Sequence, residues 1–323
     1  MTVVVAFTGG TIASAPDAAA GGAVPRLTGA QIIERTPQLA DIAQVEPHDW
    51  GFVPAAHMGF DVLIAISRLL NDQLARDDVS GAVVVQGTDT IEETAFAYDL
   101  LVASDKPVVV TGAMRNLAEP DYDGPRNLAD AVRCAAADDL RGMGAIVVLS
   151  GRVIGADRAV KAHSTALDAF QPRNGGLLGE VGQGSVVVHE PRQPVRLPSV
   201  PDKAAEPVHL VTAVTGLDGT PVRAIAAGGL AGLVVAGNGT GNTHPDLLAA
   251  AAELIEQGVP VGLTTRCPAG VSVPAYAFPG GGAQWARAGA MLSRLDGPKC
   301  RVAVALGRGA GLTGDALREV LRA

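Results

Sequence analysis

Two short stretches of this chain combine hydroxyl, carboxylate and glycine in an order that suits nucleophilic chemistry. In Val83-Val84-Val85-Gln86-Gly87-Thr88-Asp89-Thr90-Ile91-Glu92-Glu93-Thr94-Ala95 an apolar run reaches a glycine and then offers a hydroxyl, a carboxylate and a second hydroxyl. In Thr8-Gly9-Gly10-Thr11-Ile12-Ala13-Ser14 two glycines precede a threonine, directly after a short apolar run. Glycines beside Thr11 let the backbone crowd a small ligand and expose N–H donors, which a threonine nucleophile with an oxyanion pocket requires. Each stretch also has a plainer reading. Thr88 or Thr90 can cap a helix whose positive end is favoured by Glu92 and Glu93. A glycine-rich turn can cradle a phosphate, although neither G-x-G-x-x-G nor G-x-x-x-x-G-K-[ST] fits here. Two stretches of the same build, strand then glycine then threonine, favour the chemical reading over the simple cap.

Such residues must be carried by buried strands. Three consecutive valines before Gln86 form the pattern of a parallel strand covered on both faces. Between 60 and 74, Val62, Leu63, Ile66, Leu69, Leu70 and Leu74 recur at helical spacing and predict an amphipathic helix packed on a sheet. The remaining pattern predicts a short helix over 28–34 capped by Thr28, a strand over 42–46, an extended piece over 50–53 and a helix over 91–104. A strand over 107–110, a helix over 125–137 begun by Pro125 and a strand over 145–149 follow. Residues 153–161 read as a β-hairpin that brings Lys161 to its polar end. The small residues and paired glycines of 15–28 suit either a lid over a ligand or a plain surface loop. Beyond residue 207 the rhythm repeats, with strands at 208–212, 233–236 and 261–264 and helices at 221–227, 245–257, 284–293 and 313–322. Strands alternating with helices imply an α/β fold. The sheet is expected to be parallel and doubly wound, with the site in the loops at the strand C-termini.

The 323 residues suffice for two cores. Prolines at 191, 194, 198, 201 and 207 mark a semi-rigid linker over 191–207 between domains at 1–190 and 208–323. Hydrophobic residues make up 48% of the chain, yet no run reaches the ~18 residues of a membrane helix. The opening residues carry no basic leader, so the expectation is a soluble, cytoplasmic protein with no membrane partner. Cys134, Cys267 and Cys300 are scattered and lack metal-ligand spacing, and ordinary thiols are expected, with no metal and no cofactor. A net charge of −8 without a Lys/Arg cluster argues against nucleic acid. Lysines occur only at 106, 161, 203 and 299 in an arginine-rich chain, and lysine, unlike arginine, can give up its proton. By itself Lys161 also reads as a solvated surface lysine.

Five pieces together resemble the bacterial-type L-asparaginases and glutaminase-asparaginases. They are Thr8-Gly9-Gly10-Thr11-Ile12-Ala13, the Gln86–Ala95 stretch quoted above, Lys106-Pro107-Val108-Val109-Val110-Thr111-Gly112-Ala113-Met114-Arg115, Asp123-Gly124-Pro125-Arg126-Asn127-Leu128 and Ala236-Gly237-Asn238-Gly239-Thr240-Gly241-Asn242. The resemblance implies a larger N-terminal domain with a doubly wound, flavodoxin-like parallel sheet and a smaller C-terminal α/β domain, and hydrolysis of the side-chain amide of L-asparagine, in a homotetramer of tight dimers with sites at the dimer interface. By motif position Thr11 is the nucleophile, and Thr88, Asp89 and Lys161 form the supporting set. Lys161 is assigned from its place nine residues before Phe170. The resemblance also implies that Asp89 holds the substrate ammonium, that Thr88 and the Ala113 carbonyl contact the amide, and that Gly10 and Gly87 line the pocket.

The chain departs from the family at three points. No tyrosine lies between Ala13 and Thr28, where the family has one in the lid beside the nucleophile, so the base for Thr11 is open. Ala55-Ala56-His57-Met58 stands where the family offers Ser and then Gln or Glu to the substrate α-carboxylate. Backbone N–H groups or His57 are the candidates to take over, and His57 equally reads as a packed or solvent-facing histidine. The family's C-terminal glutamate has no counterpart near Tyr276, and Tyr276 or Asn242 is expected to line that wall. Three functions follow: an L-asparaginase with a rebuilt pocket, an amidohydrolase of the same mechanism on glutamine, D-asparagine or an N-substituted or peptide-linked asparagine, and a non-catalytic binding protein. The complete set of Thr11, Thr88, Asp89 and Lys161 argues against the last.

Overall fold

The computed structural model of the chain describes residues 1–182 and 184–322. Two compact units divide between Arg196 and Leu197. In the first unit the strand Thr2–Phe7 buries Val3, Val4, Val5 and Ala6 completely, as a parallel strand covered on both faces must. It pairs in parallel with Gln44–Asp49 on one side and Val79–Val85 on the other, and Val108–Thr111 and Ala145–Leu149 continue beyond. Numbered along the chain, the parallel strands lie in the order second, first, third, fourth, fifth, which is the flavodoxin-like order. Such a sheet reverses its winding between the first and third strands, and their carboxyl ends open a crevice for ligands. The two glycine–threonine stretches follow those two strands.

The sheet is mixed rather than purely parallel, because Arg152–Gly155, Gly179–Gly182 and Ser185–Val188 extend one edge antiparallel. The hairpin expected over 153–161 is corrected here. Ser150 and Gly151 have φ of 52° and 73°, the paired positive values of a two-residue hairpin turn. Arg152–Gly155 therefore folds back on Ala145–Leu149, while Ala159–Lys161 leaves the sheet and pairs with Phe170–Pro172. The expected extended piece at 50–53 is not a strand either, although the N–H groups of Trp50 and Val53 bond Phe7 and Thr8. Residues 15–28 contain an ordered hairpin, Ser14–Asp17 against Gly22–Pro25, whose turn is held by Asp17 accepting the N–H groups of Ala19 and Ala20.

Helix Gly124–Ala135 buries Leu128, Ala131, Val132 and Cys134 against Val3, Val5, Val83 and Val109. The alternate residues Val4, Ala6, Val84 and Val110 are equally buried and by the two-residue period face the opposite side. Helices Phe60–Leu74 and Ile91–Leu101 pack there against strands and against each other. The start of the proline-rich segment is fastened to this unit. Arg192 donates to both carboxylate oxygens of Asp99, at 3.0 and 2.6 Å, and to the carbonyls of Met143 and Ala145. Its Nε lies 3.1 Å from Asp157, and Arg196 donates to the carbonyls of Ala103 and Ser104.

In the second unit Val208–Thr212, Gly232–Gly237, Val261–Thr265 and Met291–Leu292 form a parallel sheet in chain order. One core gathers Val222, Leu247, Ala251, Leu254 and the fully buried Trp285. A helix that the periodicity did not predict, Gly297–Gly309, covers three of these strands. Its sequence alternates valine with alanine and is flanked by glycine, which hid the helical period. The sheet makes room for it with glycine: a Cβ on Gly232 would stand 2.6 Å from Val304 and one on Gly262 would stand 2.8 Å from Cys300.

Candidate active site

The first loop is built to lie flat. Thr8 donates its N–H and hydroxyl to the Val85 carbonyl, at 2.9 and 3.2 Å, which locks it to the neighbouring strand and turns it away from the crevice. Gly9 has φ of 96°, and Gly10 has φ of 98° with ψ of −174°, a backbone region open to glycine almost alone. A Cβ on Gly10 would lie 2.4 Å from the Gly87 nitrogen, so the two loops touch through bare backbone one residue before each threonine. Thr11 then starts a single 3₁₀ turn, Thr11–Ala13. Two side chains pin that turn: Ser14 Oγ donates to the Gly10 carbonyl at 2.9 Å, and the Tyr122 hydroxyl donates to the Ile12 carbonyl at 2.7 Å. Burial, with the Asp123 charge adding to it, pushes the Tyr122 phenol up to about 12, so it remains a donor.

The second loop turns through the 3₁₀ segment Thr88–Thr90 into helix Ile91–Leu101, with Thr90 at the N-cap position. Neither Thr88 nor Thr90 makes a side-chain cap bond. Thr88 Oγ1 instead accepts a hydrogen bond from Lys161 Nζ at 2.9 Å, and Thr90 donates its hydroxyl to the Ala55 carbonyl at 3.1 Å. Lys161 Nζ also lies 2.8 Å from Asp89 Oδ1. With a side-chain exposure of 13%, Lys161 is not a solvated surface lysine, whereas Asp89 is 71% exposed and offers its carboxylate to solvent or ligand. The Lys161 backbone N–H is taken by Glu92 Oε2 at 2.8 Å. Below the loop, the buried Thr94 hydroxyl donates to Gln86 Oε1 at 2.9 Å, which ties strand end to helix.

A third loop closes in from Val108–Thr111. A Cβ on Gly112 would lie 2.5 Å from the Gln86 carbonyl oxygen and 3.1 Å from Thr88 Cγ2, and the following Ala113 is fully buried. Asp123 accepts the N–H groups of Met114 and Arg115, while Asn127 donates to the Gly112 carbonyl at 3.0 Å. On another side the short turn Ala55–His57 brings buried Ala55 against Gly87, and Ala56 and His57 are exposed. Asn242 and Tyr276 belong to the second unit. There the Asn242 side-chain oxygen accepts the Gly282 N–H at 3.2 Å, and half-exposed Tyr276 packs its ring on Phe278 with centroids 5.7 Å apart.

Chemically, the first unit presents a hydroxyl at the start of one turn and a hydroxyl, carboxylate and ammonium in direct contact at the next. An ammonium bonded to a hydroxyl oxygen can pass protons through it, which is what a weak alcohol nucleophile needs. Burial pushes the Cys134 and Cys300 thiols up, Cys300 to about 12, so neither supplies a thiolate. Glu92, Tyr122 and Asn127 were not singled out as site residues from the sequence. In the sequence Glu92 shows only as a favourable charge at a helix start, and a tyrosine 110 positions from Ile12 leaves no local signal.

Residues 2–194 match the asparaginase N-terminal domain and residues 207–321 the glutaminase/asparaginase C-terminal domain. An L-asparaginase of Bacillus licheniformis is 30% identical over 302 residues, covering 93% of this chain and 92% of its own length. A probable periplasmic L-asparaginase of Haemophilus influenzae is 32% identical over 284 residues, 82% of this chain and 79% of that protein. Among solved structures, a probable cytoplasmic L-asparaginase of Campylobacter jejuni superposes with a TM-score of 0.88 at 25% identity, over 99% of this chain and 98% of that one.

Proposed function

The chain belongs to the asparaginase family, and from that premise we propose that it hydrolyses the side-chain amide of L-asparagine to L-aspartate and ammonia through Thr11. The observation that carries this reading is the contact of Lys161 Nζ with both Thr88 Oγ1 and Asp89 Oδ1, one residue beyond the place where Gly87 meets Gly10. In this mechanism Thr11 Oγ1 attacks the amide carbon and the proton it loses is passed to the amide nitrogen. The tetrahedral adduct collapses, the C–N bond breaks, and the nitrogen leaves as ammonia after receiving a proton. Water then attacks the acyl ester, with Lys161 and Thr88 relaying the protons, and releases aspartate and free Thr11. In this reading the exposed carboxylate of Asp89 holds the substrate ammonium, and Gly10, Gly87 and Ala113 form the walls.

One observation favours a second substrate class. Ala55 sets an apolar methyl group against Gly87 where the family offers a hydroxyl to the α-carboxylate. Each missing bond to a charged group removes about 1.5–3 kcal/mol, so an asparagine whose α-carboxyl is blocked in a peptide bond loses less here than free asparagine does. The assay is ammonia release from L-asparagine, D-asparagine, L-glutamine, N-acetyl-L-asparagine and L-asparaginylglycine, run beside Thr11→Ala and Thr88→Ala. Activity on L-asparagine that disappears in both variants supports the proposal. Release from none of these amides, or full activity in both variants, defeats it.

A cytoplasmic location and a homotetramer of tight dimers complete the proposal. The designation of the Campylobacter jejuni relative supports the first and the family resemblance the second. Fractionation and sedimentation velocity test them.

A further inference from the structure

We propose that Glu92 is a positioning residue that fixes Lys161 from behind while Thr88 and Asp89 hold its tip. The inference rests on the role given above to Lys161. That residue ends the three-residue strand Ala159–Lys161, which among the described residues pairs with the equally short Phe170–Pro172 in a two-stranded sheet of its own. So small a ladder is a weak frame for a side chain that must meet two partners within 3 Å. The next ladder bond, from the Ala162 N–H to the Ala169 carbonyl at 2.8 Å, belongs to the pair, but the Lys161 N–H points the other way and ends on Glu92 Oε2 at 2.8 Å.

Glu92 stands in the first turn of the helix whose leading 3₁₀ turn carries Thr88 and Asp89. One rigid segment, residues 88–92, thereby grips Lys161 at both ends, by Nζ and by the backbone N–H. Because the three acceptors move together, the distance from the ammonium to Thr88 Oγ1 is set by this segment and not by the loop 162–169. A carboxylate early in a helix is also explained by the helix dipole, but that explanation needs only the charge. The clamp needs an acceptor oxygen in one place, and glutamine supplies one without the charge.

The test uses the full chain and steady-state kinetics with whichever amide it turns over. Glu92→Ala is expected to lower kcat tenfold or more while KM changes less than threefold. Glu92→Gln, whose Oε1 still accepts the N–H, is expected to restore at least half of the wild-type kcat. In a Lys161→Ala background, Glu92→Ala is expected to change the residual rate less than twofold, because the group it positions is gone. The inference is overturned if Glu92→Ala has wild-type kcat, if Glu92→Gln falls as far as Glu92→Ala, or if Glu92→Ala keeps its full effect without Lys161. An inactive Lys161→Ala beside an unimpaired Glu92→Ala removes this inference alone. A fully active Lys161→Ala removes the catalytic reading as well.

Discussion

Replacing Gly10 with alanine tests whether the apposition of the two threonine loops is what the chain uses. The added Cβ would stand 2.4 Å from the Gly87 nitrogen and 2.6 Å from its Cα, about 1 Å short of ordinary carbon contact. Both atoms are backbone in a loop anchored by Thr90 on Ala55 and by Thr94 on Gln86, so the Gly10 loop is the side that yields. Two costs add. A non-glycine residue at φ of 98° and ψ of −174° loses about 1–3 kcal/mol, and overpacking typically adds 1–3 kcal/mol more. Displacing a reacting group by about 1 Å lowers the rate roughly a hundredfold, so Gly10→Ala should lose two orders of magnitude in kcat/KM together with a melting shift of several degrees. Gly21→Ala is the matched control. It also has positive φ, 68°, but nothing within 4 Å of the new Cβ, and it should lose a little stability and no activity. A Gly10→Ala protein that is folded and retains kcat/KM within twofold of wild type would refute the view that contact of these loops organises the site.

Three further outcomes are expected. Lys161→Arg keeps a cation beside Asp89 but cannot give up a proton, so kcat should fall at least a hundredfold in ammonia release, and a fully active variant would remove proton relay from the mechanism. Asp99→Asn leaves the Arg192 guanidinium, only 6% exposed, with Asp157 as its remaining carboxylate. A loss of about 3 kcal/mol in urea unfolding is expected, and a loss under 1 kcal/mol would contradict it. In the second unit, hydrogen bonds from Arg223 and then from the Gly219 N–H lower the Asp246 carboxyl to about 2 from its ordinary 3.8. A depressed carboxyl stabilises the fold above its unfolded value, and this contribution disappears as pH falls from about 4 to about 2. Asp246→Asn should flatten the acid dependence of unfolding in that window, followed by Trp285 fluorescence in a Trp50→Phe background, and an unchanged profile would be the contrary result.

The parts of the fold that could be read from sequence were those where a single physical demand governs composition. Val83 to Val85 are buried on both faces, and no polar residue survives there. Leu63, Ile66, Leu70 and Leu74 line one helix face, and the predicted span 60–74 is the observed one. Residues subject to two demands were misread. Val302 to Ala305 form a fully buried turn of a helix whose less buried side carries Arg301 and Arg308, and the glycines that admit it, Gly232 and Gly262, lie 72 and 38 positions before the residues they meet, Val304 and Cys300. Arg152–Gly155 looked like the first half of a hairpin with Lys161 because sequence shows strand character but not the direction of pairing. At the site, Thr11, Thr88 and Asp89 were marked by adjacent glycines, a local signature. Glu92 and Tyr122 work through bonds to the backbone at Lys161 and Ile12, and a backbone partner leaves no residue type to recognise.

The fastening of Arg192 and Arg196 sets where the polypeptide can be divided. A gene fragment stopped at residue 190, at the first sign of proline, would strip Asp99 of its guanidinium and leave the carbonyls of Ala103, Met143 and Ala145 without these donors. Extending the fragment through Arg196 carries those groups with it, a difference of six codons. For the same reason a protease that nicks the chain after Arg196 should release a product that stays folded, whereas exopeptidase trimming past Arg192 should not.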